Sequence, residues 1–209
     1  MIEWVRKALG KDDAKHAARR RLDGAAPRRG EVAIDGGANV GRIAARLARR
    51  GGIVYAFEPN PHAFEVLQRR FARRPNVVCR NQAVYDEPGS MRLHLHTASV
   101  ADPVKWSTGS SLLGEKDNVD PEAGVEVEVI DLAAFIESLD RHVKALKLDV
   151  EGAECRILER LIDTGLIHRI DHVFVEMHDH RIASLREPAE RVARRLAEGG
   201  LDHVHLDWP

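Results

Sequence analysis

The stretch that most constrains this chain is residues 31–41, Glu-Val-Ala-Ile-Asp-Gly-Gly-Ala-Asn-Val-Gly. Val32, Ala33 and Ile34 read as a short buried strand that Asp35 ends. A glycine-rich turn follows. From Arg42 onward Ile43, Ala44 and Leu47 fall at helical spacing. Strand, tight turn and helix form the opening unit of an α/β chain. Gly36, Gly37 and Gly41 let the backbone approach a ligand closely. The helix then turns its free N–H groups and positive dipole end toward whatever the turn holds.

The spacing narrows the ligand. A dinucleotide turn is G-x-G-x-x-G, whereas these glycines fall as G-G-x-x-x-G. They fit acid-x-Gly-x-x-x-Gly, with Asp35, Gly37 and Gly41, and with Asn39 where a middle glycine often stands. This pattern resembles the first motif of class I S-adenosylmethionine-dependent methyltransferases. The bland alternative is a turn that only packs a helix on a strand. The next apolar run, Ile53 to Phe57, ends at Glu58. A carboxylate at a strand tip can accept from both hydroxyls of a ribose. Nicotinamide folds use the same device, so Glu58 points to a nucleoside without choosing one. Pro59 and Pro61 punctuate, and a helix is predicted from about Pro61 to Arg73.

A chain of 209 residues with 44% hydrophobic content can bury one good core. Its net charge of −1 sets up no field that would draw nucleic acid or membrane. No apolar run is long enough to span a bilayer, and no signal peptide is visible. Cys79 and Cys155 have no metal or redox spacing and read as buried thiols of a cytoplasmic protein. Residues 1–29, with Arg19, Arg20, Arg21, Arg28 and Arg29, read as a basic helical extension that ends near Gly24 and Pro27. Residues 30–209 read as the domain proper.

From Glu31 to Arg80 the pattern is β-α-β-α-β, with a third strand at Val77, Val78 and Cys79. Such alternation predicts a mostly parallel, doubly wound sheet with helices on both faces. Ligands then bind at the carboxyl ends of the strands, near the reversal of strand order. Asp35, Glu58 and Asn81 all fall at such ends, and Asn81 or Gln82 is placed to meet an adenine edge. The period then changes. Met91, Leu93 and Leu95 alternate with Arg92, His94 and His96, and Val125, Val127 and Val129 alternate with Glu126 and Glu128. This predicts an added antiparallel pair with one wet face, on which His94 and His96 are exposed. Residues 97–124 read as a long loop whose Trp106, Ser110, Ser111 and Leu112 suit an acceptor pocket or lid.

Residues 145–154, Ala-Leu-Lys-Leu-Asp-Val-Glu-Gly-Ala-Glu, read as a strand, a turn and a helix start. Glu154 is explained by the preference for acids in a first helical turn. Asp149 is not, because Asp is disfavoured in a strand without a task. A last apolar run, His172 to His178, puts Glu176 and His178 two apart and therefore on one side. Asp149, Glu151, Glu176 and His178 are expected to converge on the acceptor side. A helix at about 188–198, stopped by Gly199 and Gly200, and a closing strand at His203–Leu206 complete the chain.

Four blocks occur in order: Asp35-Gly-Gly-Ala-Asn-Val-Gly41, Phe57-Glu58-Pro-Asn-Pro61, Leu148-Asp-Val-Glu-Gly-Ala-Glu154 and Val175-Glu176-Met-His178. Together they resemble the FkbM-type methyltransferases over about residues 31–180. The resemblance implies a Rossmann-like class I methyltransferase fold, S-adenosyl-L-methionine as cofactor, and O-methylation of a sugar, glycan or polyketide-type acceptor. With that cofactor, the strand ends and turns read above assign its contacts to Asp35, Gly36, Gly37, Asn39, Gly41, Glu58, Pro59, Asn81, Gln82 and Asp149, and the long loop assigns acceptor contacts to Trp106, Ser110 and Ser111. Catalysis falls to His178, Asp149, Glu151 and Glu176, with His178 the natural base at neutral pH. The carboxylates suffice for a divalent ion, but no ligand spacing is diagnostic and no metal ligand is assigned. Two rivals are a nicotinamide oxidoreductase, disfavoured by the missing G-x-G-x-x-G and Tyr-x-x-x-Lys patterns, and a non-catalytic nucleoside-binding module of the same fold.

Overall fold

The computed structural model describes residues 11–96, 119–180 and 182–208. Six strands form one parallel sheet: β1 (Val32–Gly36), β2 (Ile53–Phe57), β3 (Val77–Arg80), β7 (Val143–Leu148), β8 (Val173–Val175) and β9 (Val204–His205). Their order is β3-β2-β1-β7-β8-β9, so the chain winds outward one way from β1 and the other way from β7. The reversal between those two strands is where an open α/β sheet forms its crevice. This is the α/β architecture read from the sequence.

Covered on both faces, the central strands carry almost unbroken apolar runs. Side chains alternate between two cores. Ile34, Leu146 and Leu148 pack on one face with α4 (Leu132–Ser138), α5 (Glu154–Asp163) and α6 (Arg186–Glu198). Ala33, Val54, Ala56 and Ala145 face the other, against α1 (Lys11–Gly24), α2 (Arg42–Leu47) and α3 (Pro61–Phe71). The basic helix α1 contributes Ala18 and Leu22 to that second core, and its charges meet partners, Asp23 with Arg46 and Arg21 with Asp207. Helix α3 starts because the Asn60 side chain accepts from the N–H groups of His62 and Ala63, while Pro61 supplies a preset φ. It ends at Phe71, not Arg73.

The period-two segments form a separate three-stranded sheet, ordered β4-β6-β5: β4 (Ala83–Tyr85), β5 (Gly89–His96) and β6 (Val119–Asp131). The β5–β6 pair is antiparallel as expected, and Val84, Leu93, Val127 and Val129 bury its inner face. Three details correct the sequence reading. β4, parallel to β6, is too short to show a period. β6 begins at Val119, so the end of the expected 97–124 loop is strand. His94, expected on the wet face, is half-buried, and its Nδ1 is enclosed without a hydrogen-bond partner; the His96 side chain lies outside the described residues.

β8 is confined to Val173–Val175, which leaves Glu176 and His178 in the segment that leaves it. α6 starts at Arg186 and stops at the predicted glycines, where Gly200 takes φ 61°. Among the described residues no helix is long and apolar enough to cross a membrane.

Asp131 joins the second sheet to the helical layer. Its Oδ1 accepts from the N–H groups of Ala133 at 2.8 Å and Ala134 at 3.1 Å, capping α4, and its Oδ2 takes Arg160 of α5 at 2.9 Å. Asp131→Ala is expected to lower unfolding stability in urea by about 1–2 kcal/mol. Asp131→Asn keeps the cap and loses only the pairing with a half-exposed arginine, so its loss is expected to stay below about 1 kcal/mol.

Candidate active site

At the reversal point the exits of β1 and β7 are tied together. The Asp149 N–H donates to the Gly36 carbonyl at 3.2 Å. Gly37 takes φ 72°, and a Cβ there would stand 1.9 Å from the Asp149 carbonyl oxygen, so only glycine fits. Across the seam lies Lys147, 2% exposed, near the end of β7. Its Nζ donates to the carbonyls of Gly36 at 3.2 Å and Gly37 at 2.8 Å, and it faces Asp35 at 3.4 Å and Asp149 at 3.3 Å. Burial alone would depress the lysine pKa, but Asp149 and Asp35 outweigh it and hold the group raised, as an ammonium.

Asp35 is therefore not at the crevice surface. It is 0% exposed, and burial pushes its carboxyl up while Lys147 pulls it back. Both its oxygens are enclosed and accept no hydrogen bond. The direct ligand contact expected of it gives way to support of the turn through Lys147. Lys147 itself was not singled out in the sequence. Its signal was a lysine flanked by Leu146 and Leu148 in a strand buried on both faces, with acids at two neighbouring strand ends.

Glu58 stands at the tip of β2, where two loops meet. One oxygen accepts from the Asn39 N–H at 2.7 Å and the other from the Asn60 N–H at 2.8 Å. Burial pushes its pKa up to about 7, against the pull of those two donors. Asn39 takes φ 49°, a left-handed conformation that asparagine tolerates where most side chains do not. Asn81 is exposed. Its side-chain amide donates to the carbonyls of Glu58 at 2.9 Å and Pro59 at 3.1 Å, which pins the loop that carries Glu58, and Gln82 beside it is half-buried. Gly41 answers to packing: a Cβ there would meet the Phe71 ring at 2.5 Å.

The exits of β7 and β8 bring together what the sequence expected to converge. His178 is 1% exposed. Its Nδ1 lies 2.9 Å from Glu154 Oε1, and its Nε2 lies 3.2 Å from Glu151 Oε2 and 3.9 Å from Asp149 Oδ1. Glu154 is more than a favourable charge in a first helical turn. It is buried, and its oxygens also accept the N–H groups of Val150 and Gly152, both at 3.0 Å, fixing the turn after β7. Burial would lower the His178 pKa, but the hydrogen bond to Glu154 and the charges of Glu154, Glu151 and Asp149 push it up to about 9. That shift favours the imidazolium in the unliganded site and weighs against His178 as a neutral base there. Glu176 lies within the field of the same groups. Burial and the charges of Asp149 and Glu151 raise its pKa, partly offset by His178. Trp106, Ser110, Ser111 and Leu112 lie outside the described residues.

Residues 35–200 match the family described as Methyltransferase FkbM domain, and that span takes in the whole cluster. The chain belongs to the FkbM methyltransferase family. It is also similar to the hexuronic acid methyltransferase AglP of Haloferax volcanii, at 25% identity over 149 residues, covering 71% of this chain and 56% of the relative. The chain thus spans little more than half the length of that curated protein. The FkbM match begins at Asp35 and so includes both halves of the crevice, the β1 turn and the β7 turn.

Removing one member of a buried ion pair strands its partner. Lys147→Met is expected to lower stability by about 3–5 kcal/mol in denaturant titration. Adding Asp35→Asn in the same chain should recover part of that loss, because the stranded buried carboxylate is then gone.

Proposed function

We propose that this protein is an S-adenosylmethionine-dependent O-methyltransferase whose acceptor hydroxyl belongs to a sugar, glycan or polyketide-type molecule. Family membership favours methyl transfer over the nicotinamide reading. The named activity of the Haloferax relative, a hexuronic acid methyltransferase, favours a sugar among the acceptors. We place the protein in the cytoplasm, in keeping with the free thiols Cys79 and Cys155.

The observation that carries the reading is Glu58. A carboxylate has about four acceptor positions, and backbone N–H groups of the two crevice loops fill one on each oxygen. The remaining positions suit the two hydroxyls of a ribose. A second observation supports the reading: the turn after β1 is braced by Lys147, with the enclosed oxygens of Asp35 behind it. When bound, the sulfonium supplies an electrophilic methyl group. The chain's own task is then mostly positioning. Glu58 orients the nucleoside, the Gly36–Gly41 turn approaches the methionyl end, and Asn81 and Pro59 hold the β2 exit beside the base. On the other side the acceptor hydroxyl must lose a proton. Glu176, with its raised proton affinity, is suited to take it, and His178 keeps Glu151 and Asp149 in place beside it.

Calorimetry with S-adenosylhomocysteine tests this reading. We expect one-to-one binding, with no binding of NAD. Glu58→Gln should weaken it by about 10–100-fold, the loss of hydrogen bonds to a charged group. The pH dependence has a definite sign. Hydroxyls donate to the ionised form of Glu58, which is protonated below its pKa of about 7. Affinity should therefore rise as pH increases through 7, with a proton released on binding, and the rise should vanish in Glu58→Gln. Binding of NAD without S-adenosylhomocysteine would overturn the assignment.

The division of labour is separately testable. His178→Ala should leave S-adenosylhomocysteine binding within about threefold and slow methylation of an acceptor such as a uronic-acid oligosaccharide by about 10²-fold or more. Equal loss of binding and turnover would contradict it.

A further inference from the structure

We propose that Asp149, Glu151 and His178 form a binding site for one divalent cation of the magnesium or manganese class. One ligand atom from each lies within 4.8 Å of the other two. Ligands about 2.1 Å from a small divalent ion and at right or tetrahedral angles stand about 3.0–3.5 Å apart. The separations from His178 Nε2, 3.2 Å to the Glu151 oxygen and 3.9 Å to the Asp149 oxygen, approach that geometry.

The surroundings of the imidazole point the same way. A metal-bound histidine commonly donates its second ring nitrogen to a carboxylate, which fixes the tautomer and strengthens the ligand. Here Nδ1 is 2.9 Å from Glu154 Oε1, and Glu154 is itself held by two backbone N–H groups and is buried. That carboxylate presents Nε2, on the far side of the ring, to the two other acids. The three ligands sit on different supports. Asp149 and Glu151 follow β7, and His178 follows β8, the neighbouring strand, so the site is assembled by sheet pairing and leaves no ligand spacing in the sequence. Glu151 is held at φ 57°, a left-handed conformation unusual for glutamate, which turns its carboxylate toward His178.

Two carboxylates and one imidazole form a donor set that is oxygen-rich with one nitrogen, which suits manganese or magnesium better than a thiolate-seeking metal. Three protein ligands leave positions open. On the methyl-transfer reading, on which this consequence alone rests, the open positions take the acceptor hydroxyl and lower its pKa before it loses its proton to a carboxylate.

The test uses the full chain and Mn²⁺ read by electron paramagnetic resonance. We expect one bound ion, with spin-echo modulation from one imidazole nitrogen. Asp149→Asn and Glu151→Gln should each weaken binding at least about tenfold, while Asp202→Asn, an exposed acid elsewhere, leaves it unchanged. Circular dichroism confirms that each variant is folded, and the nitrogen signal of the unaltered protein reports on His178 without replacing that buried ring. No bound Mn²⁺, bound Mn²⁺ without nitrogen modulation, or binding indifferent to both substitutions overturns the site and leaves His178 as the resident cation. S-adenosylhomocysteine is titrated on the same sample. Its binding without the metal overturns the cation site alone, and metal binding without it overturns the methyl-transfer reading alone.

Discussion

The Lys147 ammonium is the contact on which the crevice depends. A parallel α/β sheet necessarily has a place where its two halves diverge, and there the strand exits lack the support that neighbouring loops give elsewhere. In this protein the divergence lies between β1 and β7, and one buried cation spans it, gathering the carbonyls of Gly36 and Gly37 and the carboxylates of Asp35 and Asp149. Burying such a charge is costly, and replacing a whole buried ion pair, both partners together, by well-packed apolar residues is often neutral for stability. What an apolar side chain cannot do is hold two carbonyl groups and two carboxylates in one arrangement.

A second rule runs through the site. Two of its buried carboxylates, Glu58 and Glu154, are set by backbone N–H groups. Glu58 takes one from each crevice loop. Glu154 takes two from the turn after β7 and then holds His178. Each thereby locks a loop to a strand end, so the shape of the crevice and its charge have one origin. The β2 exit is organised around Glu58 and the β7 turn around Glu154, with Lys147 and Asp149 between them.

Much of this was legible in the sequence because it rests on local signals. The glycine turn, the acids at strand tips and the change from helical period to period two each show within a short window, and they placed the parallel sheet, the second sheet and the convergence of Asp149, Glu151 and His178. The failures share a cause as well. Lys147, Glu154 and the burial of Asp35 depend on which strands become neighbours, and nothing within a few residues reports that β7 lies against β1. A lysine between two leucines looks like an edge position until the strand is known to be central. The tie between His178 and Glu154 was missed for the same reason: Glu154 comes from another strand's connection and looked fully explained by the helix start.

The last strand, β9, has only two residues, and Trp208 beyond it is buried against Phe174 with ring centroids 5.7 Å apart. A sheet edge normally offers a row of unpaired backbone groups on which a foreign strand can grow. Here that row is nearly absent, because the polypeptide leaves the sheet almost as soon as it joins it and folds an indole under itself. The β9 edge is thus guarded against intermolecular strand addition by its brevity.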